Sequence, residues 1–263
     1  NRKRYFILLL ISVSLTAYLL WGPLFPWNPF KIGYQKFKSP HATVYISDLT
    51  ETDTIVYRID EIILEEEKFH GLEYAEDFTI IILDEKSDMR RLLPWLMGSR
   101  YSVSLSVINA IYIGPTARKS PSLIESNLKH ELSHLLIDQN TSFANAMKIH
   151  EQGWLTEGIA EYYSGRYFYN KNVFFTLAQK NNLPFTSLYE NNPLKMSTEE
   201  VKLKYTYYRF FIEFLVENYG LEKLQEYLKR YIHDPDSYED YLVEVYSLDL
   251  DEILQKYEAS FDE

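Results

Sequence analysis

The pentapeptide His130-Glu131-Leu132-Ser133-His134 has the residue types and the spacing of a metal-dependent hydrolytic site. Residues four positions apart share a helix face, so the imidazoles of His130 and His134 can bind one metal ion. Glu131 lies a third of a turn away, where its carboxylate can reach a water molecule on that metal and act as a general base. Two neutral imidazoles leave Zn²⁺ short of protein ligands, so the motif predicts a third ligand elsewhere in the chain.

The segment Trp154–Tyr163, which reads WLTEGIAEYY, contains the candidate for that third ligand. Glu157 follows His134 by a stretch long enough for the chain to turn and return antiparallel. Its carboxylate would complete a site of two histidines and one glutamate, with a fourth position open for water. His150, on the connection between the two segments, is expected to be a loop or surface histidine rather than a fourth ligand.

Together, the HELSH and WLTEGIAEY segments resemble the gluzincin zinc peptidases, specifically their peptidase MA-like branch. The resemblance spans residues near 41 to 258 and is strongest over 128–165. It implies that a Zn²⁺ ion is held by two histidines and a glutamate, with a second glutamate as catalytic base. In this sequence the ligands are His130, His134 and Glu157, and the base is Glu131.

A second acidic residue, Glu161, lies four positions after Glu157 and should share its helix face. Ligating histidines usually donate their second N–H to a carboxylate, which fixes the tautomer and the ring orientation. Because relatives use an acidic residue at this spacing, Glu161 is expected to act in this way on His130. A surface glutamate in a salt bridge is the alternative.

The segment from Lys204 to Gly220 resembles the next helix of the family, in which relatives often read Tyr-x-Gln-Ser. Tyr205 matches the tyrosine, whereas Tyr207 and Tyr208 replace the glutamine and the serine. A tyrosine hydroxyl that faces the metal can donate to the oxyanion of a tetrahedral intermediate. Tyr205 is the candidate for this role and Tyr208 is its substitute; aromatic packing is the alternative for both.

The elements that must position these residues follow from the hydrophobic pattern. Strands are expected at 41–47, 78–83 and 101–107, with 108–113 as a hairpin partner and a helix at 54–69. From residue 122 the pattern is mostly helical. Its signals are capping boxes at Ser122 and Ser197, a stop at Gly220, and breaks near Pro235 and Asp249. The order predicts an α+β fold, in which a small mixed β-sheet subdomain precedes a mostly helical, zincin-like catalytic subdomain.

The N-terminal region has a different composition. Residues 1–4 form a basic flank, and residues 5–21 are uncharged and long enough to cross a bilayer as a helix. An uncleaved transmembrane anchor is expected, because no small-x-small cleavage site follows; a signal peptide and a buried core helix are the alternatives. Residues 22–40 hold four of the ten prolines and predict an extended linker, whose Phe25, Trp27 and Phe30 would rest at the membrane surface. The catalytic domain is then 41–263.

Charge and cysteine content exclude several function classes. No acidic residue precedes Asp48, and the chain after residue 47 carries 21 basic against 38 acidic residues, which argues against nucleic-acid binding. The absence of cysteine excludes disulfides, thiolate metal sites and cysteine nucleophiles. The basic residues that precede the apolar segment predict a cytoplasmic N-terminus, so the catalytic domain is expected outside the cytoplasm at the cell membrane.

These observations predict a single-pass, membrane-anchored zinc metallopeptidase that acts on a peptide or protein substrate. The G-x-M-E-N motif of aminopeptidases is missing, because the corresponding region reads Ser106-Val107-Ile108-Asn109-Ala110, and this favours an endopeptidase. The strand 101–107 offers an edge with which an extended peptide could pair. One alternative is a catalytically inactive binding module that keeps the peptidase fold at the membrane; another is a zinc hydrolase for a non-peptide bond. The oligomeric state stays open.

Overall fold

The computed structural model describes residues 2–21, 25–28, 30–47, 51–83, 102–180 and 197–260. The chain divides into two compact units. The first comprises residues 1–61 and 76–131, and the second comprises residues 62–75 and 132–263. Two helices, at residues 59–70 and 121–139, continue from one unit into the other.

The first unit is built on a five-stranded mixed sheet. Its strands are β1 (Gln35–Lys38), β2 (Ala42–Ile46), β3 (Phe78–Ile82), β4 (Ser102–Leu105) and β5 (Ala110–Ile113). The spatial order is β1-β2-β3-β5-β4; β2, β3 and β5 run parallel, and the two edge strands run antiparallel to their neighbours. The central strands are nearly continuous apolar runs, as expected where both faces of a parallel pair are covered.

The predicted strands at 41–47 and 78–83 and the hairpin of 101–107 with 108–113 are confirmed, with shorter bounds. Residue 101 lies outside the described residues, and residues 106–108 form a 3-10 turn that ends at Asn109 in the left-handed conformation. The predicted helix at 54–69 is displaced, because a 3-10 segment occupies Glu51–Tyr57 and the α-helix runs from Ile59 to His70.

The predicted linker at 22–40 is wrong for part of its length. Residues 35–38 form β1 of the sheet, and Phe25 is buried against the sheet rather than placed at a membrane surface. The phenyl ring belongs to a cluster with Ile81, Leu83, Ala110 and Tyr112. Proline content disfavours a long α-helix here, although Phe25–Trp27 form a short 3-10 helix. It does not prevent an edge strand at 35–38, which contains no proline, and this is the physical reason for the difference.

Helices make up the rest of the described chain. They are α1 (Arg2–Trp21), α2 (Ile59–His70), α3 (Pro121–Gln139), α4 (Phe143–Gln152), α5 (Trp154–Tyr163), α6 (Lys171–Lys180), α7 (Thr198–Tyr219), α8 (Leu221–His233), α9 (Tyr238–Tyr246) and α10 (Leu250–Ala259). In the second unit, α5 packs along α7. A small mixed sheet followed by a mostly helical region confirms the predicted α+β fold.

Helix ends follow their local chemistry. Ser197 and Glu200 form the predicted capping box of α7, and Gly220 ends that helix with a positive φ of 90°. The predicted capping box at Ser122 is wrong. Pro121 is the first helical residue of α3, and the Ser120 hydroxyl accepts from Leu123 N at 3.2 Å, because proline is favoured just inside a helix start.

Helix α1 carries no charged residue from Tyr5 to Trp21, and none of its membrane-length window is buried. By length and composition it could cross a membrane or serve as a signal sequence. A buried core helix, the third alternative, does not agree with its exposure, since the leucine and isoleucine side chains between residues 7 and 15 are at least half exposed.

Candidate active site

Helix α3 carries the HELSH motif and is fixed by its apolar face. That face is fully buried and consists of Ile124, Leu128, Leu132, Leu135 and Leu136. The i, i+4 spacing then puts the imidazoles of His130 and His134 together on another face of the same helix. Burial of this apolar face therefore fixes the rotation of α3 about its axis. The same rotation sets the direction of both imidazoles.

The carboxylate of Glu131 is buried and held by the edge strand β4. The Ser102 hydroxyl donates to Glu131 Oε1 at 2.7 Å and also lies 3.2 Å from Asn127 Oδ1. Asn127 is one helical turn before Glu131, and its amide donates to Leu123 O at 2.7 Å, which directs its own oxygen toward Ser102. The hydroxyl has one proton, so the shorter contact identifies Glu131 as the acceptor.

Two buried side chains bind the stretch between the histidines. Tyr74 OH donates to Leu132 O at 3.0 Å, and His70 Nε2 lies 2.7 Å from Ser133 Oγ. His70 Nδ1 lies 2.9 Å from Glu66 O and 3.2 Å from Glu66 Oε1, and both residues are buried. These bonds resist rotation of α3 about its own axis, so they help to keep the direction of His134 constant.

Glu157 is brought to the site by a sharp turn between α4 and α5. Gly153, with a φ of 65°, ends α4 and begins α5, a conformation that other residues adopt rarely. Trp154 is buried directly after the turn, and Glu157 lies in the first turn of α5, where the helix dipole favours a negative charge. Glu157 Oε2 is 3.5 Å from His134 Nε2.

One ligand atom each from His130, His134 and Glu157 lie within 4.8 Å of one another. Tetrahedral Zn²⁺ with bonds of 2.0–2.2 Å requires ligand atoms about 3.4 Å apart, and the distance between His134 and Glu157 agrees with this requirement. Two imidazoles and one carboxylate are also the ligand types that zinc prefers at hydrolytic sites. The residues present therefore fit a zinc ion, and the fourth position is left to water or substrate.

The charge of Glu157 is stabilised before any metal is considered. Burial raises the pKa of Glu157, but the charges of His134 and Arg166 and a hydrogen bond from Tyr205 outweigh burial and hold it below its ordinary value. A bound cation would stabilise the same ionised carboxylate further.

Tyr205 lies at this group, on α7. Its hydroxyl donates to Glu157 Oε1 at 3.3 Å, so the other carboxylate oxygen is the one directed toward His134. The charge of Glu157, followed by burial, raises the pKa of Tyr205 well above its ordinary value. The hydroxyl therefore stays protonated and remains a donor. Its role toward an oxyanion stays a prediction; the contact observed is with the carboxylate of the predicted ligand.

Tyr207 and Tyr208, which replace the family's glutamine and serine, are both buried. The Tyr207 ring lies parallel to Phe211 at 6.3 Å and meets Tyr257 edge-on at 5.4 Å. The ring contacts of Tyr207 agree with the aromatic-packing alternative, whereas the Tyr205 hydroxyl donates to Glu157. Burial, followed by the charge of Glu157, raises the pKa of Tyr208, and Tyr208 as the substitute for Tyr205 stays a prediction.

Glu161 is buried on α5, and its Oε1 lies 3.4 Å from Arg166 Nη2. Burial raises the pKa of the Glu161 carboxyl to about 7, although the charge of Arg166 opposes the shift. The salt-bridge alternative is therefore present, but on a buried residue rather than at the surface. The expected action of Glu161 on His130 stays a prediction. His150 Nε2 lies 2.9 Å from Asp138 Oδ1, as expected for a histidine outside the ligand set.

Sequence reasoning missed the residues that surround the motif. Ser102 was assigned to a strand without a role, and Asn127 and His70 were not singled out. Asn127 lies four residues before Glu131, and this spacing could have identified it. Nothing in the sequence indicates that Ser102 meets Glu131, because that contact depends on how β4 pairs at the sheet edge.

Comparison with known proteins identifies a family and a fold. The family model described as Peptidase MA superfamily matches residues 59–263. No curated protein sequence matches the chain. Solved structures of yeast LTA4 hydrolase, from Saccharomyces cerevisiae, are similar in fold. The native enzyme superposes with a TM-score of 0.50 at 17% identity, and its complex with bestatin with a TM-score of 0.53 at 18% identity.

These matches cover 81% and 84% of this chain but only 36% and 37% of the LTA4 hydrolase chains, so the likeness is confined to about a third of those proteins. The family match covers both motif helices and most of the sheet. The chain belongs to the Peptidase MA superfamily.

Proposed function

We propose that this protein is a membrane-anchored zinc metallopeptidase. The observation that carries the proposal is the convergence of His130, His134 and Glu157 on one point, with Glu131 beside them on the same helix. Membership of the Peptidase MA superfamily supports a metallopeptidase-type hydrolase. Zinc dependence, mechanism and substrate are the proposed part.

His130, His134 and Glu157 would hold the Zn²⁺ ion. When bound, zinc supplies a Lewis acid that polarises a carbonyl and lowers the pKa of water. Glu131 then accepts the proton of the attacking water and delivers it to the leaving amine. Because the same carboxylate accepts the proton of the water and delivers it to the amine, its orientation must be fixed before substrate arrives.

Ser102 provides that orientation. Its 2.7 Å hydrogen bond holds Glu131 Oε1 and so limits the orientations that the carboxylate can take. Asn127 Oδ1 lies 3.2 Å from the same hydroxyl and is the second acceptor within its reach. The side chain of Ser102 thus reduces the rotamer freedom of the base, and its own place is fixed by the pairing of β4 with β5.

Tyr205 has two compatible tasks. Its bond to Glu157 Oε1 directs the other oxygen of that ligand toward the metal position. Since it stays protonated, the hydroxyl can also turn to donate to the oxyanion of the tetrahedral intermediate. Both tasks need the hydroxyl and neither needs the ring alone, which makes phenylalanine the informative replacement.

The apolar helix α1 would anchor the catalytic region to the cell membrane, with that region outside the cytoplasm. Support comes from the exposure of α1 and from the basic residues Arg2, Lys3 and Arg4 before its apolar part. The substrate would be a peptide or protein, cleaved internally.

The test is cleavage of a peptide library by the purified full-length protein in detergent micelles, followed by mass spectrometry. Internal cleavage that a metal chelator stops and added Zn²⁺ restores is expected. Removal of single N-terminal residues would contradict the endopeptidase assignment. A protein that binds zinc but cleaves no peptide would favour the binding module or a non-peptide substrate instead.

A further inference from the structure

The region that follows α1 forms a compact loop, which we call the amphipathic loop and define by residues 25–28 and 30–34. It is fastened to the sheet at one end by Phe25, which is buried against Ile81, Leu83 and Tyr112. At its other end it continues into β1, the edge strand. Both ends are therefore fixed by the first unit itself.

Side chains inside the loop hold its shape. Asn28 bonds both backbone groups of Phe30, accepting from its N–H at 3.0 Å and donating to its carbonyl at 2.6 Å. The Lys31 amine donates to Phe25 O at 2.7 Å and to Asn28 O at 2.6 Å, and lies 4.3 Å above the Phe25 ring. A lysine used in this way is not solvating the surface; it caps carbonyls within the loop.

This well-bonded loop nevertheless exposes its largest apolar side chains. Trp27 is 55% exposed, Phe30 is 71% exposed and Ile32 is 62% exposed. The loop buries one aromatic ring, that of Phe25. The side chains of Trp27, Phe30 and Ile32 stay exposed in the shape that its hydrogen bonds fix. The three exposed side chains lie within six consecutive positions, and exposed apolar surface of this kind can mark a contact site.

We propose that the amphipathic loop is a lipid-contact surface, in which Trp27, Phe30 and Ile32 insert into the interfacial region of the bilayer that α1 crosses. The proposal rests on the membrane anchor proposed above and is independent of the peptidase activity. Two observations select lipid as the occupant. The loop begins four residues after the end of α1, so a bilayer spanned by that helix lies within its reach.

Charge is the second observation. On the loop's side of α1, residues 22–47 contain three lysines (Lys31, Lys36 and Lys38) and no acidic residue, in a chain whose net charge is −11. Lys36 and Lys38, which follow the loop on β1, are exposed. Tryptophan with neighbouring lysines is the composition of membrane-interface segments, and the positive charge complements anionic headgroups.

The sheet register gives this contact a consequence for the site. The loop joins β1 at Gln35, which pairs with Ile46; Ile46 pairs with Ile82 and Ile82 with Ile113. Ser102 pairs with Ile113, at this same end of the sheet. The lipid contact would therefore lie at the end of the sheet that holds Ser102 and, through it, the carboxylate of Glu131.

The chain contains no cysteine, so single nitroxide labels can be placed without background. Phe30→Cys and Ile32→Cys report on the loop, and Leu10→Cys reports on α1. The matched control is Val107→Cys, an 80% exposed apolar site at the opposite end of the sheet.

The full-length labelled proteins are reconstituted in nanodiscs of phosphatidylcholine and phosphatidylglycerol. Spin relaxation is then measured with oxygen, which concentrates in lipid, and with a water-soluble nickel complex.

Labels at 30 and 32 are expected to show a ratio of oxygen to nickel accessibility several-fold higher than the label at 107, and close to that of the label at 10. Water-like ratios at 30 and 32 with a lipid-like ratio at 10 would overturn the lipid contact while leaving the anchor intact. A water-like ratio at 10 would refute the anchor and the contact together. Labels at 30 and 32 shielded from both reagents would indicate a protein partner and would also overturn the proposal. Peptidase activity affects none of these readings.

Discussion

Gly158→Ala should lower the stability of the protein, although alanine is the better helix former. The residue follows the predicted ligand Glu157 and lies where α5 packs along α7. A Cβ atom built on Gly158 would lie 2.7 Å from Ile212 Cγ1 and 2.9 Å from Tyr208 O. Since non-bonded carbon atoms prefer about 3.5–4.0 Å, α5 would have to move away from the backbone of α7.

The two opposing effects can be compared in magnitude. Replacing a mid-helix glycine by alanine normally stabilises by about 0.5–1 kcal/mol. Overpacking against a fixed backbone costs about 1–3 kcal/mol. We expect the second effect to win, with a net loss of about 1–2 kcal/mol in the free energy of unfolding. For a chain of this size the loss corresponds to a fall in Tm of about 2–8 °C.

The displacement should also affect the metal. Moving α5 away from α7 lengthens the 3.3 Å contact between Tyr205 and Glu157, and shifts the ligand relative to His134. Zinc affinity of Gly158→Ala should therefore fall by about tenfold, the lower range for changes next to metal ligands. Thermal unfolding and competition with a zinc-binding dye measure the two effects on the same preparation.

The matched control is Thr176→Ala, an exposed position within α6, where alanine should raise Tm slightly and leave zinc affinity unchanged. If Gly158→Ala also raised Tm and bound zinc normally, the close approach of α5 and α7 would not be the reason for glycine at this position.

Two further substitutions test the groups around the base and the ligand. Ser102→Ala should lower kcat by about ten- to a hundredfold with KM and zinc content unchanged, because the carboxylate of Glu131 loses its orientation. Ser102→Thr, which keeps a hydroxyl, should recover much of the loss. Equal kcat for Ser102→Ala and wild type would contradict this role. Tyr205→Phe should weaken zinc binding and lower kcat by about a hundredfold if the hydroxyl also stabilises the oxyanion. A Tyr205→Phe protein with weaker zinc binding but normal kcat at saturating zinc would leave only the contact with Glu157.

The local sequence pattern was sufficient to predict the helices that carry the predicted ligands. The leucine spacing in α3 predicted which face is buried, and the i, i+4 rule then placed His130 and His134 together without any knowledge of the fold. The capping box at Ser197 and the stop at Gly220 were also predicted correctly, because each depends on a few adjacent residues. Glu157 could be proposed only beside the HELSH motif, since an isolated helical glutamate has no distinguishing mark.

Contacts between residues that are distant in the chain could not be predicted from local sequence patterns. Ser102 meets Glu131 only because β4 pairs with β5 and reaches the helix, and no local rule relates positions 29 residues apart. The bond from Tyr74 to Leu132 O is of the same kind. The amphipathic loop was predicted as an extended linker because proline content indicates the absence of helix, whereas the burial of Phe25 depends on the sheet face it covers.

The central claim is that Glu131 performs the chemistry at a zinc ion held by three other residues. The most direct test measures zinc content and peptide hydrolysis together, on wild type and Glu131→Gln purified in parallel after expression with added zinc. We predict about one zinc ion per chain in both proteins, with hydrolysis in wild type and its loss by at least about a thousandfold in Glu131→Gln. A Glu131→Gln protein that hydrolyses peptides at the wild-type rate, or a wild-type protein without zinc, would contradict the claim.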